Sequence, residues 1–214
     1  MRPLPRLLAI ADDAVCQADD FPIRAAAILS VGPSVAIVIR SIAPEARGYL
    51  LRVRSLARPS EGGVFGYANE SIAKEAGAQG LIVPGDSADW SVFRRRPRGA
   101  TPPDGPGPSQ PRVPAEFGGA IGCEVQSIVA AKTAADAGAD FLVVGPTGSA
   151  GPAEWWTPAM ALGRPVFLPG DGTDDHRTAL RATGAYGLAV GPTLWRSRDP
   201  AETTAALVGT WAPG

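Results

Sequence analysis

One short phrase recurs three times along this chain and constrains the fold more than any other feature. It reads Gly77-Ala78-Gln79-Gly80-Leu81-Ile82-Val83-Pro84, then Gly138-Ala139-Asp140-Phe141-Leu142-Val143-Val144-Gly145-Pro146, then Gly184-Ala185-Tyr186-Gly187-Leu188-Ala189-Val190-Gly191-Pro192. The first glycine of each copy suits a helix that ends in a left-handed residue. The branched apolar run that follows suits a strand buried on both faces. The closing Gly or Pro turns the chain out of the sheet. The last two copies are separated by the length of two strand-plus-helix units, and Pro165-Val166-Phe167-Leu168 supplies the strand between them. Alternation of this kind predicts a parallel sheet with helical crossovers.

Eight strands can be laid out in order: Leu7 to Ala11, Val35 to Arg40, Val64 to Ala68, Gly80 to Val83, Gly119 to Gly122, Phe141 to Val144, Pro165 to Leu168 and Tyr186 to Val190. Helical patterns fill most gaps, at Phe21 to Leu29, Glu45 to Leu56, Glu70 to Ala76, Ile128 to Ala137, Asp174 to Thr183 and Ala201 to Val208. Eight units predict a (β/α)₈ TIM barrel, with a doubly wound open sheet as the alternative. The 214 residues suit a single TIM-barrel domain over 1–214. The stretch from Arg94 to Pro114 breaks the pattern, because its repeated prolines forbid a helix and it has little apolar surface to bury. We expect a Pro/Gly/Arg-rich irregular insertion there, after one short helical piece at Ala88 to Phe93.

A net charge of −1 gives no reason to expect nucleic acid or an anionic membrane as a partner. No apolar run approaches the ~20 residues of a membrane span, and no signal pattern opens the chain. The two cysteines, Cys16 and Cys123, lack metal-ligand spacing and read as reduced thiols. A cytoplasmic protein with a small-molecule ligand is the expectation, with a homo-oligomer left open. The single histidine, His176, falls in a segment that looks like the first turn of a helix, so a His-based triad or metal site has poor support.

In a βα barrel the loops after the strands face the ligand, and phosphate commonly binds after strands seven and eight. Here those loops supply Gly170, Gly172 and Gly191, whose backbone N–H groups could approach an anion. Pro192 has no N–H to donate and Asp171 would repel a phosphate, so turn geometry is the competing explanation. Polar residues at the other strand ends point to the same mouth. They are Arg40, Asn69 and Glu70, Asp86 and Ser87, Cys123 with Glu124 and Gln126, and Thr147-Gly148-Ser149. Asn69 and Ser127 also suit helix N-caps. Arg40, ending an apolar strand, needs an anionic partner or water.

These loops resemble the thiamine phosphate synthase/thiazole tautomerase family. Leu8-Ala9-Ile10-Ala11-Asp12 is similar to its opening, and Ile121-Gly122, the Gly138 to Pro146 phrase, Pro165-Val166 and the Gly184 to Val190 phrase resemble its later blocks in order. The resemblance implies a TIM barrel. It also implies, for the synthase members, Mg²⁺-dependent joining of hydroxymethylpyrimidine diphosphate to a thiazole phosphate with release of pyrophosphate. The chain departs from that pattern at the chemistry. A Gln-x-Arg-x-Lys block becomes Val38-Ile39-Arg40-Ser41-Ile42, and an Asn-Asp-Arg becomes Asn69-Glu70-Ser71. A His-Leu-Gly-Gln stretch with its magnesium aspartate becomes Ile82-Val83-Pro84-Gly85-Asp86-Ser87, and a Ser-x-His becomes Glu124-Val125-Gln126. A threonine-rich, lysine-ended loop becomes Gly148-Ser149-Ala150-Gly151.

Stabilising a diphosphate leaving group dominates such transfers, and losing one contact costs ~10²–10³ in rate. We therefore expect a divergent barrel that binds a small phosphorylated or heteroaromatic ligand, with synthase chemistry altered or lost. Its ligand contacts would be Arg40, Asn69, Glu70, Gln126 and Ser149, and its phosphate contacts Gly170, Gly172 and Gly191. A working synthase in which Glu70 and Asp86 hold Mg²⁺ is the enzymatic alternative; no other cofactor is implied. A non-catalytic interaction protein, using the 94–114 segment and an exposed Trp155-Trp156, is the third, although a double tryptophan more often packs a barrel helix against the strands.

Overall fold

A computed structural model describes residues 3–60, 62–85, 117–145, 154–170, 178 and 180–210. Eight parallel strands close into one barrel in chain order, with β8 paired to β1. They are β1 (Leu7–Asp12), β2 (Val35–Arg40), β3 (Gly63–Tyr67), β4 (Gly80–Pro84), β5 (Ala120–Val125), β6 (Phe141–Val144), β7 (Val166–Gly170) and β8 (Gly187–Val190). Around them lie α1 (Asp13–Cys16), α2 (Phe21–Leu29), α3 (Ala46–Ser60), α4 (Glu70–Glu75), α5 (Ile128–Asp136), α6 (Trp156–Met160), α7 (Pro192–Trp195) and α8 (Pro200–Thr210). Closure removes sheet edges and rules out the open-sheet alternative.

The recurring phrase has a clear physical basis. Gly77, Gly138 and Gly184 take φ of 65°, 96° and 83°, the left-handed region where glycine carries no Cβ penalty. After two of them the chain makes the tight helix exit in which the second N–H beyond the helix reaches back five residues: Ala78 to the Ala73 carbonyl and Ala139 to the Ala134 carbonyl. The next residue ties the unit to its neighbour. The Gln79 side chain accepts from Val64 N at 2.6 Å, and the Asp140 carboxylate accepts from Ile121 N at 2.8 Å.

Alternation along the strands sorts two cores. Leu8, Val38, Phe65, Ile82, Phe141 and Phe167 fill the barrel interior, while Leu7, Ile37, Val64, Leu142 and Leu168 face the helices. Inside, Phe65, Phe141, Phe167 and Tyr186 form a continuous aromatic run with centroids 5.5–5.9 Å apart. Gly122 is required beside it, because a Cβ there would enter the Phe141 ring. At the strand N-terminal floor Arg6 lies 4.0 Å over the Tyr186 ring and donates to the Tyr186 carbonyl at 2.9 Å, and the Tyr186 hydroxyl donates to the Leu4 carbonyl at 2.8 Å.

Several boundaries differ from expectation. The fifth strand continues through Cys123 and Glu124 to Val125, so both residues belong to the sheet and not to the loop after it. Trp156 is 3% exposed and packs in the outer core with Trp155 against it, so the pair packs a helix on the barrel, as a double tryptophan more often does, and is not the exposed surface the interaction-protein alternative needs. The expected helical piece at 88–93, the insertion at 94–114, and the positions of Asp86, Ser149, Asp171, Gly172 and His176 lie outside the described residues. Among the described residues no helix is long and apolar enough to cross a membrane.

Candidate functional site

Because the barrel is closed and its strands are parallel, inward-facing residues of alternate strands meet in layers. The layer at the strand C-termini is polar. Asp12 ends β1 beside Arg40 of β2, Tyr67 ends β3, and Glu124 is the next-to-last residue of β5. The Arg40 Nη2 donates to Glu124 Oε1 at 2.7 Å, joining β2 to β5 across the opening. The Arg40 side chain is 35% exposed and that of Glu124 only 9%, so the carboxylate is inside the protein and the guanidinium reaches out to water. The same guanidinium lies 5.5 Å from the centre of the Tyr67 ring.

Surrounding backbone grips Glu124. A Cβ at Gly145 would lie 3.0 Å from Glu124 Oε1, and one at Gly85 would run into the Glu124 carbonyl. These two glycines leave room for the carboxylate and for the strand that carries it. Burial pushes the Tyr67 hydroxyl above its ordinary pKa, and the Glu124 charge and hydrogen bonding push it further, while Arg40 pulls it down. Tyr67 is followed by a strained turn. Ala68 has φ of 59°, the one positive value outside glycine among the described residues, and Asn69 N donates to the Tyr67 carbonyl across it at 2.6 Å.

Of the expected site residues, the structure places Arg40, Asn69, Glu70, Gln126, Gly170 and Gly191; Asp86, Ser149 and Gly172 lie outside the described residues. Arg40 is in the mouth and has the anionic partner its strand position demanded. Asn69 is exposed and caps α4, its side-chain oxygen accepting from Ile72 N at 3.0 Å. Glu70 opens α4; burial raises its carboxyl pKa and Lys74 opposes the shift. Gln126 is exposed beyond β5, with its Cγ beside Gly145. Gly170 ends β7, and Gly191 precedes α7 with open space where a Cβ would be. Asp12 is committed locally, accepting from Val15 N at 2.9 Å as the cap of α1.

Sequence reasoning missed Tyr67 as a mouth residue and Glu124 as the partner of Arg40. The signal was the inward parity Phe65-x-Tyr67 and Ala120-x-Gly122-x-Glu124.

Among the described residues no three His, Cys, Asp or Glu side chains converge as a metal site. Of the two carboxylates expected to hold Mg²⁺, Glu70 opens α4 and Asp86 lies outside the described residues. Two cavities lie away from the barrel centre. One of about 540 Å³ opens at the floor between Leu4, Phe65, Gln79 and Phe117, with Lys74 the one ionisable group in its wall among the described residues. One of about 350 Å³ lies beside the mouth between Asp12, Phe21, Arg24 and Trp195.

No protein family model and no curated protein sequence matches this chain. Solved structures do share its fold. Thiamine phosphate pyrophosphorylase from Pyrococcus furiosus superposes with a TM-score of 0.73 over 96% of this chain and 95% of that one, at 20% identity. 3-Hexulose-6-phosphate synthase from Salmonella typhimurium gives 0.68 over 96% and 98%, at 14% identity. Orotidine 5'-phosphate decarboxylase from Pyrococcus horikoshii gives 0.64 over 95% and 98%, at 13% identity. All three names carry a phosphate ester, and at these identities the likeness is one of fold. The chain is a (β/α)₈ barrel of the kind found in these enzymes.

Proposed function

We propose that this barrel binds a small, phosphorylated or heteroaromatic ligand at its C-terminal mouth, as a divergent relative of the thiamine phosphate synthase/thiazole tautomerase family with synthase chemistry altered or lost. The observation that carries this reading is the Arg40–Glu124 pair at 2.7 Å. A pyrophosphate leaving group needs cations free to take up its charge. Here the surviving arginine of the family's second-strand block is already neutralised, and the lysine of that block is replaced by Ile42, which stands 80% exposed. What remains suits binding. The outer N–H groups of Arg40, the Tyr67 hydroxyl and Gln126 offer polar contacts, Asn69 and Glu70 stand at the rim, and the backbones at Gly170 and Gly191 are the candidates for holding an anion.

The test is turnover together with binding. Purified protein is incubated with hydroxymethylpyrimidine diphosphate, thiazole phosphate and Mg²⁺, and thiamine phosphate is followed by mass. We expect no product above a control without protein, while inorganic phosphate shifts the Gly170 and Gly191 amide signals in NMR spectra. Product formation would overturn the reading in favour of a working synthase with Mg²⁺ on Glu70 and Asp86.

A further inference from the structure

Glu124 already occupies the Nη2 side of the Arg40 guanidinium, the one cation shown at the centre of the described mouth. Its Oε1 accepts from the guanidinium at 2.7 Å, and its side chain is 9% exposed. A phosphate that took its place would leave a buried carboxylate without a cation, a state costing far more than a half-exposed ion pair returns. The absence of a side chain at Gly145 and Gly85 makes the room in which the Glu124 carboxylate and carbonyl sit. Two anions competing for one guanidinium in a partly desolvated opening also repel each other more strongly than they would in water. The carboxylate keeps acceptor capacity beyond its bond to Arg40, since each oxygen offers two lone-pair sites.

We propose that Glu124 is the specificity-determining residue of the mouth: as the internal counter-anion of Arg40 it keeps phosphate out of the barrel centre and turns that centre to a neutral, N–H-donating face of the ligand. The proposal rests on the mouth being the ligand site, and it confines any phosphate to the Gly170 and Gly191 rim. A ring amino group or a primary amide fits the centre; a phosphate, diphosphate or carboxylate does not.

The experiment uses the full chain and two probes, inorganic phosphate and 2-aminopyridine, with NMR signals of the Arg40 Nε–H and the Glu124 side-chain carboxyl carbon as readouts. In the unsubstituted protein, phosphate is expected to leave the Arg40 signal unmoved and 2-aminopyridine to shift the Glu124 signal saturably. In Glu124→Gln, phosphate is expected to shift the Arg40 signal with affinity at least tenfold higher. Glu124→Ser, which leaves a smaller neutral group, provides the same comparison should the glutamine fail to fold. The proposal falls if phosphate moves Arg40 in the unsubstituted protein, if neither variant gains phosphate affinity at Arg40, or if 2-aminopyridine leaves Glu124 unmoved. The Gly170 and Gly191 amides report separately: their silence towards phosphate counts against the proposed rim and leaves the role of Glu124 standing.

Discussion

The two ends of the barrel carry the same pair of residue types, an arginine over a tyrosine, and put them to opposite uses. At the floor Arg6 covers Tyr186 at 4.0 Å, and both polar groups bond to main-chain carbonyls, of Tyr186 itself and of Leu4. At the mouth Arg40 stands 5.5 Å from Tyr67, and its partner is the Glu124 carboxylate. Carbonyl partners cannot ionise or swing away, so the floor is a plug. A carboxylate partner carries charge and depends on the arginine opposite it, so the mouth is a charge-balanced polar surface. The difference lies in what satisfies the donors and not in which donors are present.

The widest separation between the two ends should come from removing each arginine. Arg40→Ala leaves Glu124 buried and unpaired, and we expect a loss of about 3 kcal/mol in urea unfolding, at the low end for a buried pair because Arg40 is a third exposed. Arg6→Ala leaves only a neutral carbonyl behind and should cost about 1 kcal/mol. Replacing both members of the mouth pair, as Arg40→Met with Glu124→Leu, should recover most of the larger loss. Equal costs at the two ends would break the contrast.

A smaller effect separates the tyrosines. Tyr186→Phe removes a hydroxyl that donates to a carbonyl and should cost about 1 kcal/mol. Tyr67→Phe removes a hydroxyl that hydrogen-bonds Glu124 but also meets water, and should cost about 0.5 kcal/mol. The reverse order would mean that Tyr67 is a structural strut.

The subtlest difference is one of pH. The folded-state pKa of Tyr67 is raised, so the stability linked to it is fully present below the unfolded value near ~10 and is lost as pH rises through the folded value. Ultraviolet titration should show one tyrosine ionising above the ordinary range. Glu124→Gln should bring it partway back, since burial, the larger cause, remains.

Much of the scaffold was legible because its signals are local. The second and sixth strands and the first long helix begin and end at the expected residues, Val35–Arg40, Phe141–Val144 and Phe21–Leu29. The helix-ending glycines could be read from a phrase eight or nine residues long. The fifth strand shows the limit. Its polar tail, Cys123-Glu124, looks like the start of a loop, and it is held in the sheet by a partner 84 positions away. Nothing near Glu124 in the chain announces Arg40. The strained residue at Ala68 was equally hidden, since alanine gives no local sign of a left-handed backbone. The site is therefore less legible than the barrel, because it is made of pairs that only closure brings together.

The Arg40–Glu124 pair also works as a crossbar. It runs from β2 to β5, so it splits the opening into two unequal windows. The narrower one lies over β3 and β4, framed by Tyr67 and Pro84; the wider one lies over β6, β7, β8 and β1, with Gly145, Gly170 and Gly191 on its border. For the ligand proposed above, that bar sets two sides to choose between, and breadth across the ring, rather than length, is the dimension on which guests would be sorted.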